Sequence, residues 1–193
     1  MSEKVLDLQL RHVKQLQCSG KTWQAMEKLK ELVLLHPQNA MVHKLLGNAY
    51  FHMGLLDWAI DSYRQAIAIS KNYLDARYDL GVALYHRARI TEAISEFQDV
   101  LKIDPEYHSA HYRIGLCYHH AGQLNAAIHH LLESTVVTPD YVMAFYHLGV
   151  IYYKQREMEK ARQAFERVLE EDPQDIASAK YLEIIAKQPV EPA

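Results

Sequence analysis

Small and apolar residues recur along the chain every 34 residues, and this period limits the fold more than any other feature of the sequence. The ladders are Gly47, Gly81, Gly115, Gly149; Ala59, Ala93, Ala127, Ala161; and Tyr63, Phe97, Leu131, Phe165. Within a unit, apolar residues follow helical spacing twice, with a break near Gly54 between the two stretches. The period therefore predicts a series of helix–turn–helix units.

The repeat boundaries follow from the same spacing. Clear units are predicted at 40–73, 74–107, 108–141 and 142–175, and a degenerate unit at 6–39 carries Val13 where the others have glycine. Residues 176–187 are predicted to form a capping helix whose Ala179, Leu182 and Ile185 cover the last unit. We expect a single domain over 6–187 and a disordered tail at 188–193.

Each ladder has a physical reason. Two helices approach closely only where one of them presents almost no side chain, so glycine and alanine are expected at the contact and the aromatic ring fills the remaining space. Prolines at 37, 105, 139 and 173 are expected to end the second helix of their units. Asp57, Thr91 and Asn125 are expected to cap the start of that helix.

Composition excludes several functions. The net charge of −3 argues against general nucleic-acid binding, and no run of 18 apolar residues predicts direct membrane insertion. The charged N-terminal segment does not predict a signal peptide, and Cys18 and Cys117 have no C-x-x-C spacing, so a cytoplasmic location is expected. Phosphate loops, nucleophile elbows and metal motifs are absent from the sequence, which predicts a non-enzymatic protein without a cofactor.

The repeats resemble the tetratricopeptide repeat over residues 6–175. The family pattern W-x2-L-G-x2-Y, A-x3-F, P is matched in the last unit by Phe145, Leu148, Gly149, Tyr152, Ala161, Phe165 and Pro173. The resemblance implies an all-α fold, a right-handed superhelical solenoid of antiparallel helix hairpins. It also implies a concave groove lined by the first helix of each unit.

The same resemblance implies which residues line the groove. The residues carried over from the family's inner-face positions are Lys44, Asn48, Phe51, His52, Tyr78, Val82, Tyr85, His86, Tyr112, Leu116, His119, His120, Tyr146, Val150, Tyr153 and Lys154. Tyrosine offers a rigid amphipathic surface, which suits peptide binding, although a generic packing role for these tyrosines is an alternative.

A carboxylate clamp, which some family members use for the acidic C-termini of chaperones, is matched in part. Lys44, Asn48 and Arg113 fit its pattern, but Asp79 and Ser109 stand where asparagine and lysine are required. Because Asp79 would repel a carboxylate, we expect that Lys44 and Arg113 pair with it instead.

Histidines are concentrated at residues 111–130. His119 and His120 are expected on the groove side, His129 and His130 mostly outward, and His111 at a core or boundary slot shared with His43. The five therefore do not predict one site, and no metal is expected. The recurrence of His52, His86 and His120 leaves open a weak metal row or binding that depends on pH.

We expect a scaffold that binds a peptide segment of a partner protein in its groove. The alternative is a self-assembling scaffold in which the degenerate N-terminal repeat docks into a neighbour's groove and forms homo-oligomers. That repeat carries Leu6, Leu10, Val13 and Trp23, which its own unit is not expected to cover fully. A third reading is an adaptor subunit of a larger assembly machine.

Overall fold

The protein folds into short antiparallel helices. The computed structural model describes residues 3–137 and 141–187, and within these ranges it contains eleven helices and no strand. They are α1 Glu3–Cys18, α2 Thr22–Leu35, α3 Ala40–His52, α4 Leu56–Ile69, α5 Leu74–His86, α6 Ile90–Ile103, α7 His108–His120, α8 Leu124–Val137, α9 Val142–Lys154, α10 Met158–Glu171 and α11 Ile176–Ala186. The predicted all-α class is confirmed. The predictions for Pro139 and for the tail at 188–193 lie outside the described residues.

The helices are grouped into two compact units, which we call unit 1 and unit 2 and which each contain more than one of the 34-residue repeats. Unit 1 spans Met1–Ile103 and contains α1 to α6, and unit 2 spans Asp104–Ala193 and contains α7 to α11. Within each unit, every helix packs against the helix that precedes it and the one that follows it. Within the described ranges, no helix combines the length and the apolar character needed to cross a membrane.

Glycine on the first helix of each clear hairpin lies directly against a large side chain of the second helix. A Cβ atom built on Gly81 would lie 2.7 Å from Cε1 of Phe97, and one on Gly149 would lie 2.7 Å from Cε1 of Phe165. Gly47 stands in the same relation to Tyr63, and Gly115 to Leu131. All four large side chains are at most 2% exposed, so these contacts form the centre of each hairpin core.

The degenerate first hairpin fills the same core positions with different residues. Val13 occupies the glycine slot and is 2% exposed, while Leu29 occupies the aromatic slot and is fully buried. A larger residue on α1 is therefore matched by a smaller one on α2, and the hairpin still closes.

The turn inside each hairpin uses one residue with a left-handed backbone. These residues recur every 34 positions and are Gly20, Gly54, Ala88, Gly122 and Arg156, with φ between 60° and 74°. Glycine adopts this conformation without a steric penalty, whereas Ala88 and Arg156 place a Cβ in it. The break that the sequence shows near Gly54 is thus a backbone requirement of every hairpin.

The expected caps at the second helices are wrong. Asp57, Thr91 and Asn125 lie inside the first turn of α4, α6 and α8, because these helices begin one residue earlier. Asp57 instead accepts a hydrogen bond from Arg87 at 3.0 Å, and Asn125 accepts one from Gln155 at 3.2 Å. Arg87 and Gln155 both follow the first helix of the next repeat, so this position links neighbouring hairpins.

The capping helix α11 packs against α10, with a face that overlaps the expected one. Ala179 is exposed, whereas Ser178 is fully buried and Tyr181 stacks on Phe165 with ring centroids 4.6 Å apart. The side chain of Asp175 accepts a hydrogen bond from the Ser178 amide at 2.7 Å and fixes the start of the helix. Leu182 and Ile185 are half-buried, so Ala179 is the one exposed residue of the three expected to cover the last repeat, and Ser178 and Tyr181 add to the covering face.

We predict that Gly81→Ala destabilises unit 1 by about 1 to 3 kcal/mol, because the added methyl group overlaps the Phe97 ring. Urea unfolding of the full chain measures the change. The matched control is the double variant Gly81→Ala with Phe97→Leu, which follows the Val13–Leu29 pair of the first hairpin, where a larger residue on the first helix faces a leucine, and it should recover part of the loss. Equal stabilities of wild type and Gly81→Ala would contradict the close approach.

Candidate functional site

The surface of interest is formed by the first helices of the repeats, α3 and α5 in unit 1 and α7 and α9 in unit 2. We call it the first-helix face of each unit. In unit 1, the Phe51 ring lies edge-on to His86 with centroids 5.4 Å apart, and Tyr78 packs on Phe97 at 5.6 Å. The Phe51 and Tyr78 rings are half-buried, so each is held in place by its own unit while part of it faces outward.

The polar residues of the unit 1 face satisfy one another. Lys44 Nζ lies 3.1 Å from Asp79 Oδ2, as the sequence analysis expected for this lysine. With the Asn48 amide oriented so that its nitrogen faces the carboxylate, it donates to Asp79 Oδ2 at 3.3 Å and lies 2.8 Å from the Tyr63 hydroxyl. Burial raises the pKa of Asp79, and Lys44 opposes this effect. Lys44, the cation that a carboxylate clamp would use to bind its ligand, is therefore already paired with Asp79.

The unit 2 face is more tightly packed near α7. Tyr112 is 7% exposed, because Tyr141 lies edge-on to it at 4.8 Å and His147 at 5.8 Å covers it further. Leu116 is also buried. These two predicted groove residues consequently offer little surface to a ligand.

Farther along unit 2, the aromatic rings remain accessible. Tyr146 and Tyr153 are half-buried and lie edge-on to Tyr181 of α11, with centroids 6.5 and 5.3 Å apart. Tyr181 belongs to the capping helix, so the capping helix continues the aromatic row of the first helices. The sequence analysis missed Tyr181 because it assigned this helix only a covering role.

A basic cluster borders these rings. Lys154 Nζ lies 3.1 Å from His119 Nε2, and the His119 ring lies 6.2 Å from that of His147. Burial, then Lys154 and then His120, lower the pKa of His119. Burial and His119 lower the pKa of His147 to about 4, and its Nδ1 is buried without a hydrogen-bond partner among the described residues. His147 was not singled out in the sequence.

The remaining histidines occupy different environments. His43 is 9% exposed and its Nε2 lies 3.0 Å from the Pro37 carbonyl oxygen, which confirms the core placement. The expectation that His130 points outward is wrong: its ring stacks on Tyr118 at 5.6 Å and lies 5.7 Å from His111. Burial, and secondarily His111, lower the pKa of His130 to about 4.

The predicted groove residues thus divide by accessibility. His52, His86, His120 and Lys154 are exposed; Lys44, Asn48, Phe51, Tyr78, Val82, Tyr85, Arg113, His119, Tyr146, Val150 and Tyr153 are half-buried; Tyr112 and Leu116 are buried. Across residues 3–137 and 141–187, no three histidine, cysteine, aspartate or glutamate side chains form a group suited to a metal ion. Cys117 is buried, which raises the pKa of its thiol to about 12, so it is protonated and a poor nucleophile at neutral pH.

Comparison with known families agrees with the hairpin geometry. Sequence models described as TPR repeat match residues 47–87 and 115–156, and models described as tetratricopeptide repeat match 68–108 and 142–175. The chain belongs to the tetratricopeptide repeat family. A search of curated protein sequences finds no significant match for this tetratricopeptide repeat protein.

Solved structures share the fold. MamA (residues 41 to the end) from Desulfovibrio magneticus is 22% identical with a TM-score of 0.82, covering 91% of this chain and 99% of its own. YrrB, described as having an unusual peptide-binding site, is 20% identical with a TM-score of 0.75 and coverages of 91% and 90%. PilF from Pseudomonas aeruginosa is 21% identical with a TM-score of 0.81 and coverages of 94% and 82%. At these identities the likeness establishes the tetratricopeptide repeat fold alone.

We predict that acidification weakens unit 2 through His147. The unfolded chain takes up a proton near the ordinary histidine pKa of 6.5, whereas folded His147 stays neutral down to about 4. The contribution to stability is present above 6.5 and is lost as the pH falls from 6.5 towards 4. His147→Gln should therefore show a smaller loss of unfolding free energy between about pH 7.5 and pH 5, measured by urea titration.

The proteins are compared by the slope of the unfolding free energy with pH and not by its absolute value, because glutamine also changes the packing. His120→Gln, which changes an exposed histidine on the same face, is the control, and the slope should fall more in His147→Gln than in this variant. An unchanged slope in His147→Gln would contradict the burial of this imidazole.

Proposed function

We propose that this tetratricopeptide repeat protein is a non-enzymatic scaffold that binds a peptide segment of a partner protein along the first-helix faces. The observation that carries the proposal is the set of half-buried aromatic rings on the first helices α3, α5 and α9, namely Phe51, Tyr78, Tyr85, Tyr146 and Tyr153. Most are held from behind by rings of their own unit, as Tyr78 is by Phe97. Such rings bind a ligand at low entropic cost because they are already ordered.

The electrostatics differ between the two units and favour a segment with acidic residues opposite unit 2. In unit 1, the charge of Lys44 is balanced by Asp79. In unit 2, the charged neighbours that lower the pKa of His119 are Lys154 and His120, both of them basic. An acidic side chain of the ligand would approach exposed Lys154 and gain a charge-assisted hydrogen bond.

The relatives support the class of function without identifying a partner. YrrB, which shares the fold, is described as having a peptide-binding site. PilW, another protein of the same fold, is described as a type IV pilus biogenesis factor. An adaptor that captures a segment of another protein is consistent with both descriptions.

We predict that Tyr85→Ala combined with Tyr153→Ala abolishes partner capture, because it removes one accessible ring from each unit. Quantitative pull-downs from cells of the source organism identify proteins held by wild type and lost from the variant, and fluorescence titration with the mapped segment gives affinities. A loss of about tenfold or more is expected, since aromatic anchors dominate such interfaces. Lys154→Glu should weaken binding of an acidic segment and leave unfolding unchanged.

Trp58→Ser is the control, since Trp58 is 62% exposed but lies on the second helix α4. It should leave affinity for the segment unaltered. If the tyrosine variant retains every partner while Trp58→Ser loses them, the working surface is the second-helix side and the proposal fails.

The second candidate function is self-assembly through the N-terminal hairpin. Trp23 is 61% exposed and borders a pocket of about 320 Å³ between α1 and α2, together with Leu16 and His12. Leu8, on the same hairpin, is 69% exposed. Apolar side chains that the hairpin leaves uncovered are a surface on which a second copy could dock.

We predict that, if this candidate holds, the mass measured by light scattering rises with concentration in wild type and stays monomeric in Trp23→Ser. The tryptophan change removes exposed apolar area without touching the buried core of α2. The tyrosine variant serves as the comparison, because loss of assembly there as well would identify the first-helix face as the acceptor. A monomeric wild type at every concentration would eliminate self-assembly.

A further inference from the structure

Two histidines of one hairpin bring their ring nitrogens together. His111 on α7 and His130 on α8 have their Nδ1 atoms 3.4 Å apart, with ring centroids 5.7 Å apart and planes tilted by 32°. Both side chains are half-buried, so the pair lies at the edge of the hairpin within reach of solvent ions. Sequence reasoning separated these residues because it placed His130 on the outer surface.

The repeat itself explains why these two positions meet. Thirty-four residues earlier, the equivalent positions hold Arg77 and Glu96, whose Nη1 and Oε2 atoms lie 2.9 Å apart. In both repeats, therefore, the hairpin brings this pair of positions to contact distance, although the residues that occupy it differ. In the repeat of residues 108–141, the ion pair is replaced by two imidazoles.

Neighbouring side chains hold the pair. The Tyr118 ring stacks on His130 with centroids 5.6 Å apart and an interplanar angle of 23°. His129 approaches His130 from the same helix at 5.1 Å. Glu133, one turn further along α8, occupies the slot of Asp99, which contacts Arg77 at 3.2 Å in the preceding repeat, and its charge acts on His130. The two rings are thus positioned by packing, with a carboxylate nearby.

The separation of the two nitrogens matches a metal ion better than a direct hydrogen bond. An N–H donor normally lies 2.7 to 3.2 Å from its acceptor, so 3.4 Å makes a weak bond. Two nitrogen ligands on a tetrahedral ion with bonds of about 2.0 to 2.1 Å are themselves about 3.3 to 3.4 Å apart. Neutral imidazole is also the usual protein ligand for borderline divalent ions.

We infer that His111 and His130 form a two-histidine binding site for a divalent transition metal, with the geometry of Zn²⁺. No third histidine, cysteine, aspartate or glutamate of the described residues completes a three-ligand group, so water occupies the remaining coordination positions. The site is therefore open to solvent and its metal is exchangeable. The bound ion links α7 to α8, because each helix supplies one ligand. It lies apart from the aromatic rings of the peptide-binding proposal and does not depend on that proposal.

The test is calorimetric titration of the full chain with Zn²⁺ alone, in a buffer that does not chelate metals. One site should be lost or weakened at least about tenfold in His111→Asn and in His130→Asn, and should persist in the neighbouring control His129→Asn. Zn²⁺ should raise the midpoint of thermal unfolding of wild type and of His129→Asn only. Equal Zn²⁺ binding by wild type and both ligand variants would overturn the inference.

Two swaps between repeats separate metal binding from folding. The double variant His111→Arg, His130→Glu copies the ion pair of the preceding repeat, so it should fold as wild type and lose the Zn²⁺ site. Conversely, Arg77→His with Glu96→His should add a second site to unit 1. Two results would contradict the assignment of the Zn²⁺ site to these two positions. One is a folded His111→Arg, His130→Glu variant that still binds Zn²⁺ with wild-type affinity, and the other is an Arg77→His, Glu96→His variant that gains no site.

Discussion

The structure depends on the close approach of two helices at a residue without a side chain. In the four clear hairpins a glycine of the first helix touches a large apolar side chain of the second, so that Phe97 and Phe165 lie against backbone where any Cβ would overlap them. The contact fixes the distance between the helices and excludes water from the centre of the hairpin. Everything else on the protein is arranged around cores that differ little from one repeat to the next.

Because the hairpin cores are alike, the chemical differences between repeats lie in the side chains on the hairpin surfaces. The same slots hold an ion pair in one repeat and two imidazoles in the next, as Arg77 and Glu96 compare with His111 and His130. The first-helix faces differ in the same manner: Lys44 is neutralised by Asp79 in unit 1, whereas Lys154 lies against His119 in unit 2. Function is thus carried by substitutions that leave the fold unchanged.

Much of the fold was predictable from the sequence, because the 34-residue spacing of small and large core residues follows from the repeated backbone geometry of the hairpins. The constant spacing of glycines and aromatics predicted an all-α fold of helix–turn–helix repeats, and the break near Gly54 marked a turn that needs a left-handed residue. Helix starts were less predictable: Asp57 was expected to cap α4, but the helix begins at Leu56 and Asp57 bonds to Arg87 of the next repeat instead. A cap is a local preference, and here a contact between repeats prevailed.

The candidate site was predictable in outline and not in detail. The inner positions of the first helices predicted the aromatic rings, but the burial of Tyr112 depends on Tyr141, the residue just before α9, which lies edge-on to it. Likewise, Tyr181 completes the aromatic row from a helix predicted only as a cap. Such contacts join residues about 30 positions apart, and the 34-residue spacing does not specify which side chains make them.

The left-handed turn residues affect how the protein can diverge. Three of the five turns use glycine, but Ala88 and Arg156 hold the same backbone at a steric cost of about 1 kcal/mol each. A methyl group and a long cationic side chain are thus both accommodated at the tip of a hairpin, provided that the flanking helices are stable enough to offset this cost. Divergence at the tips is therefore limited by the stability of the hairpin and not by an absolute requirement for glycine.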